Sequence, residues 1–316
     1  MASPHDLTSN ITDTALIFEG GGMRASYTAA PLAMLLLNGI YLDWVGGISA
    51  GSSHTVNYLS RDPNRARTSF VEFAANPKFG NWGTFLRGRG FFDGEYIYEQ
   101  TSGPGEELPL DFETFQANPA TYKIGAFNAE TGEHVYWGRE DITSFTDLAV
   151  RVRASSSMPG VMRFPVIDGE TYADGALGPS GGIPLDAAQA DGYDKFLVIM
   201  TRPRDFVKEP VKRMGALRAI FRKYPAVADG IIARTENYNR TREELFELEA
   251  QGKAMLFLPD EISVSNRDRS LEILRGAYET GWAQAEREYP AWREFLGLPP
   301  QANTAAMPDP NNPPAA

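Results

Sequence analysis

The sequence predicts an α/β fold with a mostly parallel central sheet sandwiched by helices and a helical C-terminal part. Three observations point there. Short apolar runs alternate with longer helix-like stretches up to about residue 200, the pattern of strands covered on both faces. Two of those runs end in glycine-rich joints, Glu19 to Arg24 and Gly47 to Gly51, that lead straight into helices. Beyond residue 200 the pattern turns largely helical, with one last short strand over Lys253 to Leu258.

The elements follow in order. Residues 1–12 read as a flexible N-terminus. Ala15-Leu16-Ile17-Phe18 is an apolar run bounded by a breaker, a short buried strand. Ala25 to Leu37 is rich in Ala, Leu and Met and stops at Asn38-Gly39, as a helix does. Tyr41 to Val45 is the next strand, and a second helix begins near Ala50. Glu133 to Trp137 alternates as a strand, and Phe164 to Tyr172 reads as two short strands around the Asp168-Gly169 turn. Lys208 to Lys223 reads as a basic amphipathic helix, either a lipid-surface contact or a core-packed helix with a solvated basic face. The alternating charges of Arg234 to Glu249 read as an exposed helix. From Leu298 the chain is rich in Pro, Asn and Ala, the composition of a disordered tail over 298–316. With no internal repeat and no linker, residues 13–297 form one domain.

The chemistry concentrates at the two glycine joints. Gly47-Ile48-Ser49-Ala50-Gly51 is a G-x-S-x-G nucleophile elbow in its required strand–turn–helix context. Such a turn forces the serine into a conformation that only residues without a Cβ tolerate as neighbours, and it presents the hydroxyl at a helix N-terminus. Upstream, Glu19-Gly20-Gly21-Gly22-Met23-Arg24 joins a strand to a helix. Its unshielded N–H groups suit an anion, either a nucleotide phosphate or a developing oxyanion. No G-K-[ST] ending follows, and Ala25 stands where the last glycine of G-x-G-x-x-G would fall. The oxyanion reading fits an elbow one strand later.

A serine nucleophile needs a base, and the usual order is Ser, then Asp or Glu, then His. The three histidines are His5, His54 and His134. His5 sits in the flexible N-terminus. His54 follows Ser49 on the same helix and points away from the elbow, a packing or surface residue. His134 lies on an alternating strand and reads as structural. None follows residue 134. Asp174, in Tyr172-Ala173-Asp174-Gly175-Ala176, ends a strand and can project a carboxylate into a site. Alone it reads as a turn aspartate. Beside a glycine loop and an elbow without a histidine, it reads as the base.

These motifs together resemble the patatin-like phospholipases, most of all the compact bacterial single-domain members. The resemblance rests on Gly20-Gly21-Gly22-Met23-Arg24, Gly47-Ile48-Ser49-Ala50-Gly51 and Asp174-Gly175-Ala176, in that order. Ala154-Ser155-Ser156-Ser157-Met158-Pro159 with Phe164-Pro165, and Ile183-Pro184-Leu185-Asp186-Ala187-Ala188, extend it to roughly residues 13–200. Departures are small: Glu19 where many members have Asp, and Ala25 and Ala176 where many have Gly. The resemblance implies a patatin-like fold and a lipid acyl hydrolase of phospholipase A or lysophospholipase type. It implies a Ser49–Asp174 dyad, an oxyanion hole at Gly20, Gly21, Gly22 and Arg24, and an elbow shaped by Gly47 and Gly51. Arg24 is expected to orient the loop or to balance charge at Asp174. Two alternatives stay open: an esterase for small soluble esters, and a non-catalytic lipid- or protein-binding member of the same fold. The mark of the latter, a lost Ser or Asp, is missing here.

Composition narrows the partners. A net charge of −11 and a pI near 4.9 disfavour nucleic acid and broad adsorption to anionic membranes. The substrate is expected to be a lipid or other acyl ester, with transient membrane-surface contact as a further expectation. Without cysteine there is no disulfide, thiol catalysis or zinc–thiolate site, and no metal or cofactor is expected. Asp93, Glu95 and Glu99 lack Ca²⁺-loop spacing and read as a turn before a helix. Arg87 and Arg89, with Gly88 and Gly90, read as a loop near the site mouth. Met1 to Asp13 lacks a signal-peptide pattern and no apolar run reaches spanning length, so the expected location is the cytoplasm.

Overall fold

A computed structural model describes residues 7–80, 83–84, 87 and 90–309. His5, Gly88 and Arg89 lie outside the described residues. Eight strands form one sheet, β1 (Ile11–Phe18), β2 (Leu42–Ile48), β3 (Thr121–Asn128), β4 (His134–Trp137), β5 (Val166–Ile167), β6 (Glu170–Asp174), β7 (Phe196–Ile199) and β8 (Ala254–Phe257). The order is β5-β6-β3-β2-β1-β7-β8, with β4 also paired to β3. The run β3-β2-β1-β7-β8 is parallel. The pairs β3–β4, β3–β6 and β5–β6 are antiparallel. This is the mostly parallel sheet the sequence predicts. β1 starts earlier than expected, at Ile11, because Thr12 and Asp13 are exposed polar residues that interrupt the apolar signal.

Helices cover both faces: α1 (Ala25–Leu37), α2 (Ala50–Leu59), α3 (Pro63–Phe70), α4 (Phe112–Ala117), α5 (Phe145–Ser155), α6 (Leu185–Ala190), α7 (Met214–Ile220), α8 (Pro225–Ala250) and α9 (Leu271–Phe295). The alternation along β1 explains the sandwich. Leu16 and Phe18 pack with α1, α2 and α9 on one face, while Ala15 and Ile17 pack with Leu185, Tyr238 and Leu245 on the other. Every residue of α1 from Ala25 to Leu36 is buried, since α1 is squeezed between the sheet and α9.

Two expectations change. Only Met214–Ile220 of the basic segment is helical, and it buries nothing. Pro210 and a left-handed Arg213 (φ 65°) keep the preceding residues out of the helix. The core-packed alternative for this segment therefore fails. Helix α8 is half-sunk rather than exposed, with Tyr238, Thr241, Arg242 and Leu245 buried in one stripe. The segment from Leu298 has neither helix nor strand through residue 309. It is tied to the body by Arg293 Nε donating to Pro299 O (2.7 Å) and Asn38 Nδ2 to Asn303 Oδ1 (2.9 Å). No helix among the described residues is long and apolar enough to cross a membrane.

Candidate active site

The register of β3 brings distant residues together. β2 runs along one edge of β3 and ends with Ile48 opposite Gly125. β6 descends the same edge and ends with Asp174 opposite Ala126. The two strand ends meet nearly head-on, so the residue after Ile48 meets the residue that closes β6. Ser49 Oγ donates to Asp174 Oδ2 at 2.8 Å, across 125 residues of chain. Both side chains are buried.

Ser49 caps α2 at φ 58°, ψ −127°, a region that side chains rarely occupy. A Cβ on Gly47 would lie 2.1 Å from Gly51 O, and one on Gly51 would lie 2.2 Å from Phe18 O, so the turn closes only with glycine at both positions. Sequence reading missed the brace beneath it. Ser155, at the end of α5, accepts from Ser49 N (2.9 Å) and donates to Gly125 O (2.6 Å), fixing the elbow to β3. Its signal lay in the Ala154–Pro159 segment, without indicating that role.

Asp174 Oδ1 accepts from Ala176 N at 2.9 Å. Burial raises its carboxyl pKa above the ordinary range, while the Arg234 guanidinium, the Ala176 amide and the Ser49 hydroxyl hold it down. The cation acting on Asp174 is thus Arg234, on α8, and not Arg24. Arg24 is buried with its Nε unpartnered, and its electrostatic neighbours are Arg202, Glu19, Tyr238 and Arg234. Burial and the nearby Arg202 charge push it down to about 10, against the pull of Glu19.

The glycine loop lines the same cleft as Ser49 and Asp174. Gly20 N is already committed to Gly182 O (3.0 Å). Among the described residues, no hydrogen bond uses the backbone N–H of Gly21 or of Gly22. Gly22 holds φ +56°, and a Cβ there would lie 2.6 Å from Asn266 O. Glu19 anchors the loop from below, accepting from Thr201 N (2.6 Å) and Tyr238 OH (2.8 Å).

On the other side of Ser49 the walls are apolar. Met23, Phe70, Phe79, Ile97 and Met162 line a pocket that reaches Ser49. Phe70, Phe79 and Ile97 also line the next cavity, which runs on to Phe73, Leu108 and Val152. The remaining candidates sit elsewhere. His54 is buried, hydrogen-bonded to Thr28 Oγ1 (2.9 Å) and driven down to about 3 by burial. His134 lies on β4 against the Tyr136 ring. Asp93 accepts from Tyr96 N (3.3 Å), and Glu99 pairs with Arg153. Among the described residues no cluster of His, Cys, Asp or Glu suits a metal ion. Gly90 bridges to Met162, which lines the apolar pocket.

A family model described as patatin-like phospholipase matches residues 16–188. A second, described as a domain of unknown function (DUF6363), matches residues 224–297, which include α8 and α9. No curated protein matches the chain. Among solved structures, VipD from Legionella pneumophila is similar at 12% identity and a TM-score of 0.48, over 90% of this chain and 67% of that one. The first family model takes in both glycine joints, the elbow and Asp174, and it spans more than half of the sequence: the chain belongs to the patatin-like phospholipase family.

Proposed function

We propose that the protein hydrolyses carboxylic esters of lipids, as a phospholipase A or lysophospholipase, through a Ser49–Asp174 dyad. The observation that carries this reading is the 2.8 Å Ser49 Oγ to Asp174 Oδ2 hydrogen bond beneath the unused Gly21 and Gly22 amides. Asp174 accepts the serine proton as Oγ attacks the ester carbonyl. The Gly21 and Gly22 N–H groups receive the oxyanion, each such donor contributing about 3 kcal/mol in comparable enzymes. The tetrahedral intermediate expels the alcohol, which takes the proton back from Asp174. Water, deprotonated by the same carboxylate, then attacks the acyl carbon, and the fatty acid leaves as Ser49 Oγ takes that proton back from Asp174. The raised Asp174 pKa moves the base toward neutrality, where proton transfer is more efficient.

The apolar tract beyond Ser49 favours a long acyl chain over the small-ester alternative. Exposed Val207, Met214 and Ile220, beside Lys212, Arg213 and Arg218, supply a surface for transient contact with lipid aggregates. The test is turnover of a mixed lipid extract by purified protein. Wild type releases fatty acid, Ser49→Ala releases none and Asp174→Asn nearly none. Wild-type rates from either variant would exclude the dyad. Among p-nitrophenyl esters, kcat/KM should rise with chain length; a preference for acetate would favour the small-ester reading.

A further inference from the structure

The cleft on the loop side of Ser49 carries more positive charge than the Arg234 contribution to Asp174 accounts for. Arg24, Arg202, Lys208 and Arg234 all line it, together with Ser49 and Asp174. They come from four separate places: the glycine loop, the residues after β7, the following loop and α8. Two carboxylates, Glu19 and Asp174, oppose them in the same cleft. Four cations against two carboxylates leave an excess of two positive charges, in a chain whose net charge is −11. Among the described residues none of the four forms a salt bridge. Arg24 Nε is buried without a partner in a residue only 7% exposed. Glu19 is engaged with Thr201 N and Tyr238 OH, and Arg234 uses Nε on Gly181 O (3.3 Å). The repulsion is felt: burial and the neighbouring Arg234, Arg24 and Arg202 charges push Lys208 down to about 8. Cations that outnumber the carboxylates beside them in a partly buried cleft are costly unless a ligand brings the missing charge.

Ser49 lies on the border between this cleft and the apolar tract. With the acyl chain in the tract, the alcohol portion of the ester falls among the cations. We infer that the enzyme selects acyl esters whose alcohol carries a phosphomonoester, as in a monoacyl glycerol 3-phosphate, the dianion being held by Arg24, Arg202, Lys208 and Arg234. This rests on Ser49 being the nucleophile. A dianion matches the excess of two, whereas a choline phosphodiester brings one negative charge and a cation. Guanidinium groups suit phosphate oxygens because their N–H groups pair with them two at a time.

The test has two arms. In the first, Ser49→Ala is titrated by calorimetry with 1-oleoyl glycerol 3-phosphate, glycerol 3-phosphate and inorganic phosphate. In the second, wild-type kcat/KM is compared for 1-oleoyl glycerol 3-phosphate, its choline phosphodiester and 1-oleoyl glycerol. The expected results are binding of glycerol 3-phosphate, tighter binding of its oleoyl ester, and a preference of about tenfold or more for the phosphomonoester, the scale of one lost charge-assisted contact. Arg202→Gln/Lys208→Gln should weaken binding and collapse the preference ratio, while the charge-preserving Arg202→Lys/Lys208→Arg should restore both. The inference is overturned if Ser49→Ala does not bind glycerol 3-phosphate, or if the ratio is the same in the neutralised and wild-type proteins. It is equally overturned if inorganic phosphate binds as tightly as the oleoyl ester, which would make the cleft a free-anion site. If none of the three esters is cleaved but Arg202- and Lys208-dependent binding persists, the hydrolase reading fails and the phosphomonoester pocket stands.

Discussion

Replacing Ser49 by glycine should give a more stable protein than replacing it by alanine, although both are inactive. The cause is the backbone of the elbow. Ser49 sits at φ 58°, ψ −127°, where a residue with a Cβ is strained by roughly 1–3 kcal/mol. Alanine keeps the Cβ and the strain; glycine removes both. Each variant loses the 2.8 Å hydrogen bond to Asp174, so that loss cancels in the comparison. Against the relief stands the larger backbone entropy of glycine in the unfolded chain, about 0.5–1 kcal/mol. The net advantage of glycine is therefore about 1 kcal/mol. Taking a urea m-value near 3 kcal/mol/M, the advantage amounts to a midpoint shift of about 0.3 M. Equilibrium urea unfolding followed by circular dichroism, with m equal for the two variants, measures it. A glycine variant that unfolds at or below the midpoint of the alanine variant would refute strain as the property of this turn.

Three further predictions concern charge and surface. Asp174 must be ionised to act as base, so kcat/KM for a neutral ester should fall as pH drops through its raised pKa. Arg234 holds that pKa down, so Arg234→Gln should move the acidic limb to higher pH; an unmoved limb would detach Arg234 from the base. His54 is kept neutral down to about 3 by burial, whereas the unfolded chain takes up that proton near 6.5. Its folded pKa lies below its unfolded one, so this contribution to stability is whole above about 6.5 and shrinks as pH falls toward 3, by up to about 1.4 kcal/mol per unit. The stability gap between wild type and His54→Gln should narrow in acid, and a gap independent of pH would contradict a buried neutral imidazole. Binding to phosphatidylglycerol vesicles should weaken when Arg218, Arg222 and Lys223 are neutralised, and weaken further with Met214→Ser/Ile220→Ser; cosedimentation unchanged by both sets would remove the lipid-surface role.

The sequence made the first half of the fold legible because local and tertiary signals agree there. Ala15–Phe18 and Tyr41–Val45 are apolar runs that end in glycine, and both joints serve the backbone they suggest. Ser49 was readable for the same reason. Asp174 was readable as a strand-end carboxylate, but its meeting with Ser49 depends on β6 taking over the β3 edge that β2 vacates at Gly125, a pairing with no local signature. Arg202 gave no signal, and Lys208 and Arg234 were legible only as the first residues of a basic stretch and of an alternating-charge stretch, since each is an ordinary charged residue until the chain returns to the cleft. Alternating charges on α8 hid a buried stripe because Arg242 is buried with Tyr238 and Leu245, its guanidinium donating to Pro203 O (2.8 Å) and Arg204 O (3.1 Å). The basic segment misled in the opposite sense. Its apolar residues have helical spacing, yet Met214 and Ile220 face solvent.

The most direct measurement is covalent. Purified protein is treated with a long-chain alkyl fluorophosphonate, digested and mapped by mass spectrometry as a function of pH. One adduct is predicted, on Ser49, forming more slowly as pH falls and almost not at all in Asp174→Asn. An adduct on any other residue, or labelling of Ser49 at the same rate with Asp174 replaced, would contradict a hydroxyl activated by that carboxylate.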